Sequence, residues 1–114
     1  MAETAHLQPG QVWWCWLDPI RGREQGGRRP VVVVASHDYL DVVDHLVIVV
    51  PVTTIARAWP NHIPLSGSTA VHGWAMTEQI RTLSRQRLAR ADGSVDDACL
   101  SRIRVWLNDF LSAA

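Results

Sequence analysis

Apolar positions in this chain alternate or run together, and only at the C-terminus do they recur at helical spacing. The segment QVWWCWL, residues 11 to 17, is rich in strand-favouring side chains and stops at the turn signal Asp18-Pro19. Residues 30 to 35 carry apolar side chains on both faces, which predicts a buried strand. HLVIVVPVTT, residues 45 to 54, predicts another, with Pro51 suggesting a sheet edge or a bulge late in it. HIPLS (62–66) and GWAMTEQI (73–80) read as shorter strands, and SRQRLARADGSV (84–95) as one short helical turn followed by a strand. Cys99, Ile103, Trp106, Leu107 and Phe110 recur at three- and four-residue steps behind Asp96, a suitable N-cap, so a helix closes the chain. The predicted fold is mainly β with a C-terminal helix, a small β-barrel rather than alternating βαβ units.

No repeat or linker interrupts this pattern. Residues 8 to 112 are expected to form one domain behind a short N-terminal extension, residues 1 to 7, consistent with a chain of 114 residues. The apolar fraction, 47%, suffices for a core. The longest apolar run, Leu46 to Val52, is too short to cross a bilayer, and MAETAHLQPG has neither the charged nor the apolar region of a secretory signal. A cytoplasmic protein is expected, with Cys15 and Cys99 as reduced thiols packed like small apolar groups. In VWWCWL, alternation sets Trp13 on one face and Trp14 and Trp16 on the other. Core or dimer packing is the expected role of the tryptophans, with Trp14, Trp16, Trp59 and Trp74 the candidates for a ligand-stacking or partner surface.

Formal net charge is zero, yet the charges are not evenly spread. All eleven basic residues are arginine. Arg21, Arg23, Arg28 and Arg29 gather in one segment against Glu24, and Arg81, Arg85, Arg87 and Arg90 in a second near Glu78. A GC-rich genome accounts for the missing lysines but not for the clustering, and arginine binds phosphates bidentately where lysine cannot.

The first cluster lies in REQGGRRPVVVVAS, residues 23 to 36. A residue before proline is pushed into an extended conformation, and proline is tolerated at the first position of a strand. Arg29 is therefore expected to stand extended at the mouth of a sheet anchored by Val31 to Val34. Gly26 and Gly27 allow the preceding loop to turn and bring backbone N–H groups close to an anion. A flexible loop feeding a rigidly placed arginine suits a phosphate or carboxylate site.

The order GQVWWCWLDPIRGREQGGRRPVVVVAS, VVPVTT, WPNHIPLS and TEQIRTLSRQRL resembles the MazF/PemK family of toxin ribonucleases, from about Gly10 to the final helix. The resemblance implies a small SH3-like barrel of the MazF/CcdB type and a homodimer. It also implies sequence-specific, metal-independent cleavage of single-stranded RNA, needing no cofactor, and a cognate MazE-like antitoxin with an acidic, disordered tail. It places the family's catalytic arginine on Arg29, its threonine on Thr53 and the loop's acidic residue on Glu24. The surrounding motif residues Arg21, Arg23, Gln25, Gly26, Gly27, Arg28, Glu78, Gln79 and Arg81 become RNA-binding candidates. Much of the family has a small serine where this chain has Arg23, so the RNA sequence recognised does not carry over.

The residue types suit that chemistry. RNA supplies its own nucleophile, the 2′-OH, so an enzyme must deprotonate it, stabilise a phosphorane and protonate the leaving 5′-oxygen. Arg29 can meet the charge developing on the phosphate oxygens, and Thr53 can donate a hydrogen bond there. Glu24 and Glu78 are both available as base, with Glu24 preferred. The histidines, His6, His37, His45, His62 and His72, show no metal-ligand spacing, and no metal site is expected. His62 and His72 are the candidates for a general acid. Two other functions remain: a CcdB-like toxin that binds gyrase without hydrolysis, which has no use for an Arg29/Thr53 pair, and a family member that binds RNA without cutting it.

Overall fold

The computed structural model describes residues 6–17 and 27–112. Eight strands form one sheet: β1 (Gln11–Trp16), β2 (Arg28–Val33), β3 (Leu46–Thr53), β4 (His62–Pro64), β5 (Gly67–Ser68), β6 (Trp74–Met76), β7 (Arg81–Ser84) and β8 (Leu88–Val95). Two helices accompany them, α1 (His37–Val42) and α2 (Asp97–Leu111), with 3₁₀ turns at Thr77–Gln79 and Arg85–Arg87. The strand order is β4-β6-β3-β2-β1-β8-β5, with β7 also paired to β3, and every pairing is antiparallel. The sheet forms a half-barrel closed by the C-terminal helix, as the sequence pattern predicts.

Both faces of the central strands are buried. Val12, Val32, Val50 and Val52 pack on one side against Cys99, Leu100, Ile103 and Leu107 of α2. Trp13, Cys15, Val31, Val33, Val47 and Val49 pack on the other against Leu40 of α1, Leu83 and Leu88. Leu7 joins this second cluster, so packing reaches into the segment expected to be an extension. Trp14 and Trp106 pack at the margin of the α2 core, whereas Trp16, Trp59 and Phe110 are exposed. The α2 stripe is therefore shorter than its period suggests, ending at Leu107. Asp96 caps α2, its Oδ1 accepting from Cys99 N at 2.8 Å, a contact worth about 1 kcal/mol.

Pro51 marks neither an edge nor a bulge. Val34 N donates to Ile48 O, which makes Val31 and Pro51 a non-hydrogen-bonded pair and turns the Pro51 nitrogen away from β2. On that far side β3 changes partners, pairing with β7 through Val49 and with β6 from Val52. A residue without an N–H fits the gap between two partners.

Burial also accounts for the inert cysteines. Cys15 is fully buried, and burial, partly offset by the Arg81 and Arg87 charges, pushes its thiol up to about 11. Cys99 is buried as well, with its Sγ directed at Pro64 O. No helix of the described residues is long and apolar enough to cross a membrane.

Candidate active site

The ends of β2 and β3 open onto a cleft of about 750 Å³. Val31 pairs with Pro51 at the last step of the β2–β3 ladder, with Arg29 two residues before Val31 and Thr53 two residues after Pro51. Arg29 and Thr53 line the cleft, together with Arg28, Thr54 and Ile55. Gln79 and Arg81 also line it, as do Ala70, Val71 and His72 from the β5–β6 connection. Three arginines thus line one space, and no carboxylate stands among its described lining residues. Trp14, Leu17, Pro30, Val52 and Met76 supply apolar surface between them. Cations on an apolar floor suit a ligand with both phosphates and rings.

Local structure fixes several of these groups. Thr53 Oγ1 accepts from Ile55 N at 3.1 Å, which orients the hydroxyl and leaves its hydrogen to donate. Gly73 packs directly on the Thr53 backbone, with φ +148, and a Cβ there would collide with the Thr53 carbonyl oxygen. Gly27, φ +60, leads the chain into Arg28 in a conformation that suits glycine. Arg81 donates to Leu17 O at 3.1 Å while lining the cleft. Behind the wall, Asp92 accepts from Trp14 Nε1 at 3.2 Å and Ala70 N at 3.1 Å. Those two hydrogen bonds are the leading cause of a carboxyl held below its usual range.

The family model for PemK-like, MazF-like toxins of type II toxin–antitoxin systems matches residues 8–111. The chain belongs to that family. It is 36% identical over 105 residues to the endoribonuclease MazF9 of Mycobacterium tuberculosis, spanning 85% of this chain and 89% of the relative. Over 100 residues it is 32% identical to the Escherichia coli endoribonuclease toxin MazF, spanning 87% and 88%. Among solved structures, the MazE–MazF crystal structure from Deinococcus radiodurans superposes with a TM-score of 0.81 at 29% identity, covering 95% of this chain and 97% of the other.

Of the residues the motifs single out, Arg28, Arg29, Thr53, Gln79 and Arg81 meet at the cleft, with Gly27 at its approach. Arg21, Arg23, Glu24, Gln25 and Gly26 lie outside the described residues. Glu78 is absent from the lining. It instead receives His62 Nε2 at 3.0 Å and Asn61 Nδ2 at 2.8 Å. Burial raises its proton affinity, but the His62 hydrogen bond and charge, a backbone hydrogen bond and the Asn61 hydrogen bond together leave the carboxyl below its usual range.

The second arginine cluster divides by function. Arg85 binds Leu40 O, Val43 O and Leu46 O, closing the C-terminal end of α1 onto β3. Arg87 binds Trp16 O at 2.9 Å, and Arg90 lies over the Trp14 ring. Arg81 alone of the four lines the cleft. Ile55, Ala70, Val71 and Met76 are lining residues that the sequence does not single out, since only the folded chain brings them together.

Proposed function

We propose that this chain is the endoribonuclease toxin of a type II toxin–antitoxin pair, cutting single-stranded RNA at a preferred sequence without a metal or other cofactor. The observation that carries this is the convergence of Arg28, Arg29 and Arg81 with the Thr53 hydroxyl on one cleft whose described lining holds no carboxylate. Family membership and relatives named endoribonucleases support it.

In the proposed reaction the 2′-oxygen attacks the adjacent phosphorus as a base takes its proton, forming a cyclic phosphorane. The P–O5′ bond then breaks, and the leaving oxygen receives a proton. Arg29 meets the charge on the non-bridging oxygens with a planar fork, and the Thr53 hydroxyl donates to the same oxygens. Glu78 is held by His62 and Asn61 and weakened as a base, which favours Glu24 for the first proton transfer. His72 is the imidazole on the described cleft wall and suits the second. No cluster of three or more potential metal ligands occurs among the described residues.

A homodimer and an antitoxin complete the proposal. The cationic cleft would attract an acidic, unstructured antitoxin tail as readily as RNA. The Deinococcus radiodurans relative is seen with MazE. Incubating the purified protein with a long single-stranded RNA and mapping the new 5′ ends tests the activity and yields the cut sequence. Intact RNA at high protein concentration, with the Arg29→Ala variant behaving identically, would refute it.

A further inference from the structure

Residues 54 to 61 carry the chain away from the cleft, and a second ligand-facing feature lies along them. Trp59 is 48% exposed, yet its indole is braced from behind. The His62 ring meets it at 4.8 Å between centroids, tilted by 51°. His62 itself is 5% exposed and fixed by Glu78, and its backbone N–H donates to Trp59 O at 3.1 Å. Asn61 Nδ2 bonds both Glu78 and the fully buried Thr77, whose hydroxyl returns a hydrogen bond to Asn61 O. This polar cluster holds a loop tryptophan in place without burying it.

The same cluster locates the ring with respect to the cleft. His62 pairs with Met76, and Glu78 precedes Gln79; Met76 and Gln79 both line the cleft wall. The Arg57 guanidinium stands over the Trp59 ring, 5.8 Å from its centroid, near the outer limit of a cation–π contact.

We propose that Trp59 is a stacking platform for one unpaired base of the RNA strand as it leaves the cleft, with Arg57 taking a phosphate beside that base. This rests on the ribonuclease function proposed above. The occupant follows from three features: a link through His62 and Met76 to the wall of a cationic cleft, a half-exposed indole, and a guanidinium over its ring that a base could replace. An indole already held in place loses little freedom when a base stacks on it. Stacking tolerates any base, so Trp59 would contribute affinity and register rather than sequence choice.

The test uses an oligonucleotide of the mapped cut sequence, 2′-deoxy at the cleaved nucleotide so that it binds without being cut. Trp59→Ala should weaken its binding about 5- to 150-fold, the range for loss of one aromatic–base stack, while Trp59→Phe keeps most of the affinity. Cleavage by Trp59→Ala should show a raised KM with kcat largely kept. In an abasic scan of the oligonucleotide, one position should cost the wild type affinity and cost Trp59→Ala almost none. Thermal melting of both variants separates binding loss from unfolding. Equal affinity of wild type and Trp59→Ala overturns the platform, as does a loss shared evenly across all abasic positions. A change confined to oligomeric state would assign Trp59 to a protein contact and overturn it too. If wild type cuts RNA normally in any of these cases, only the platform falls; if wild type neither cuts nor binds RNA, the ribonuclease proposal falls with it.

Discussion

His62 Nε2 lies 3.0 Å from each carboxylate oxygen of Glu78, placing a nearly buried imidazole against a partly exposed acid. The geometry assigns the hydrogen to Nε2, and Nδ1 is buried with no partner among the described residues. Burial raises the Glu78 carboxyl, but the His62 hydrogen bond and charge, with the backbone and Asn61 hydrogen bonds, together bring it below its usual range. A depressed carboxyl stabilises the fold above the ordinary glutamate range, about 4.3, and that contribution disappears as pH falls through the folded value. Glu78→Ala should therefore cost about 1–2 kcal/mol at pH 7, because it leaves the His62 N–H and an Asn61 donor unpaired. The difference from wild type should shrink steadily below about pH 4. Urea unfolding of both proteins across that range checks it; a constant difference would mean the acid contributes by packing alone.

Arg29 and Thr53 reach the cleft from facing strand ends, so their roles can be separated from their scaffold. Arg29→Ala should abolish cleavage, and Arg29→Lys should restore little, since a point charge cannot reproduce a planar fork. Thr53→Val removes one donor and should lower the rate by about 10²–10³. Neither variant should unfold, because Arg29 is exposed and Thr53 only half-buried. Single-turnover kinetics with circular dichroism spectra checks both halves; near-normal turnover by Arg29→Ala would remove that residue from the mechanism.

The parts of this arrangement legible in the sequence are those whose cause is local. Valine runs announce β2 and β3, Asp96 announces α2, and Arg29-Pro30 announces the strand mouth. The six-residue α1 is too short for an apolar period, with Leu40 its one buried residue. Its end is satisfied by Arg85, 42 residues from Val43 in sequence, so no nearby residue signals it. Arg81 to Leu83 escape notice as a strand because β7 is chosen by its partner β3 rather than by alternation. Pro51 misleads for a similar reason, since a nitrogen facing a change of partners has the same residue signature as an edge. The clustered arginines look alike in sequence, yet carbonyls hold Arg81, Arg85 and Arg87, a tryptophan ring holds Arg90, and Arg81 also lines the cleft.

Gly73 offers a probe of Thr53 that leaves Thr53 itself intact. A Cβ at residue 73 would strike the Thr53 carbonyl and crowd the Val52 side chain, and φ +148 is unfavourable for alanine. Gly73→Ala should destabilise the protein by about 1–3 kcal/mol. Its loss of turnover should exceed the fraction unfolded, because relief comes from shifting the strand end that carries Thr53. Activity normalised to folded protein checks this, and full normalised activity would show that the clash is relieved elsewhere.

The antitoxin should read the same cations as the RNA. If an acidic tail lies across Arg28, Arg29 and Arg81, its affinity falls steeply as salt rises, and RNA and tail compete. Neutralising Arg28 and Arg29 together should weaken both ligands and flatten the salt dependence of each. Titrations at several salt concentrations test this directly. An antitoxin that binds the double variant as tightly as wild type, with the same salt slope, would point to another inhibitory surface.

The nucleophile is the sharpest point of the proposed chemistry. If the 2′-oxygen attacks, one 2′-deoxy substitution immediately 5′ of the scissile bond removes the only group that can reach the phosphorus. Cutting should stop while binding stays nearly unchanged, because every phosphate and base is still present. Unmodified RNA should give a 2′,3′-cyclic phosphate or its opened 3′-phosphate together with a free 5′-OH. EDTA should leave the rate unaltered. A metal-dependent nuclease would instead be stopped by EDTA, would commonly leave a 5′-phosphate, and would ignore the 2′ position. His72→Ala should slow cleavage about 10²–10⁴-fold if that imidazole protonates the 5′-oxygen, and an RNA with a 5′-thio leaving group, which departs without a proton, should recover most of the loss. Efficient cleavage of the 2′-deoxy substrate would sink the mechanism while leaving the family assignment intact.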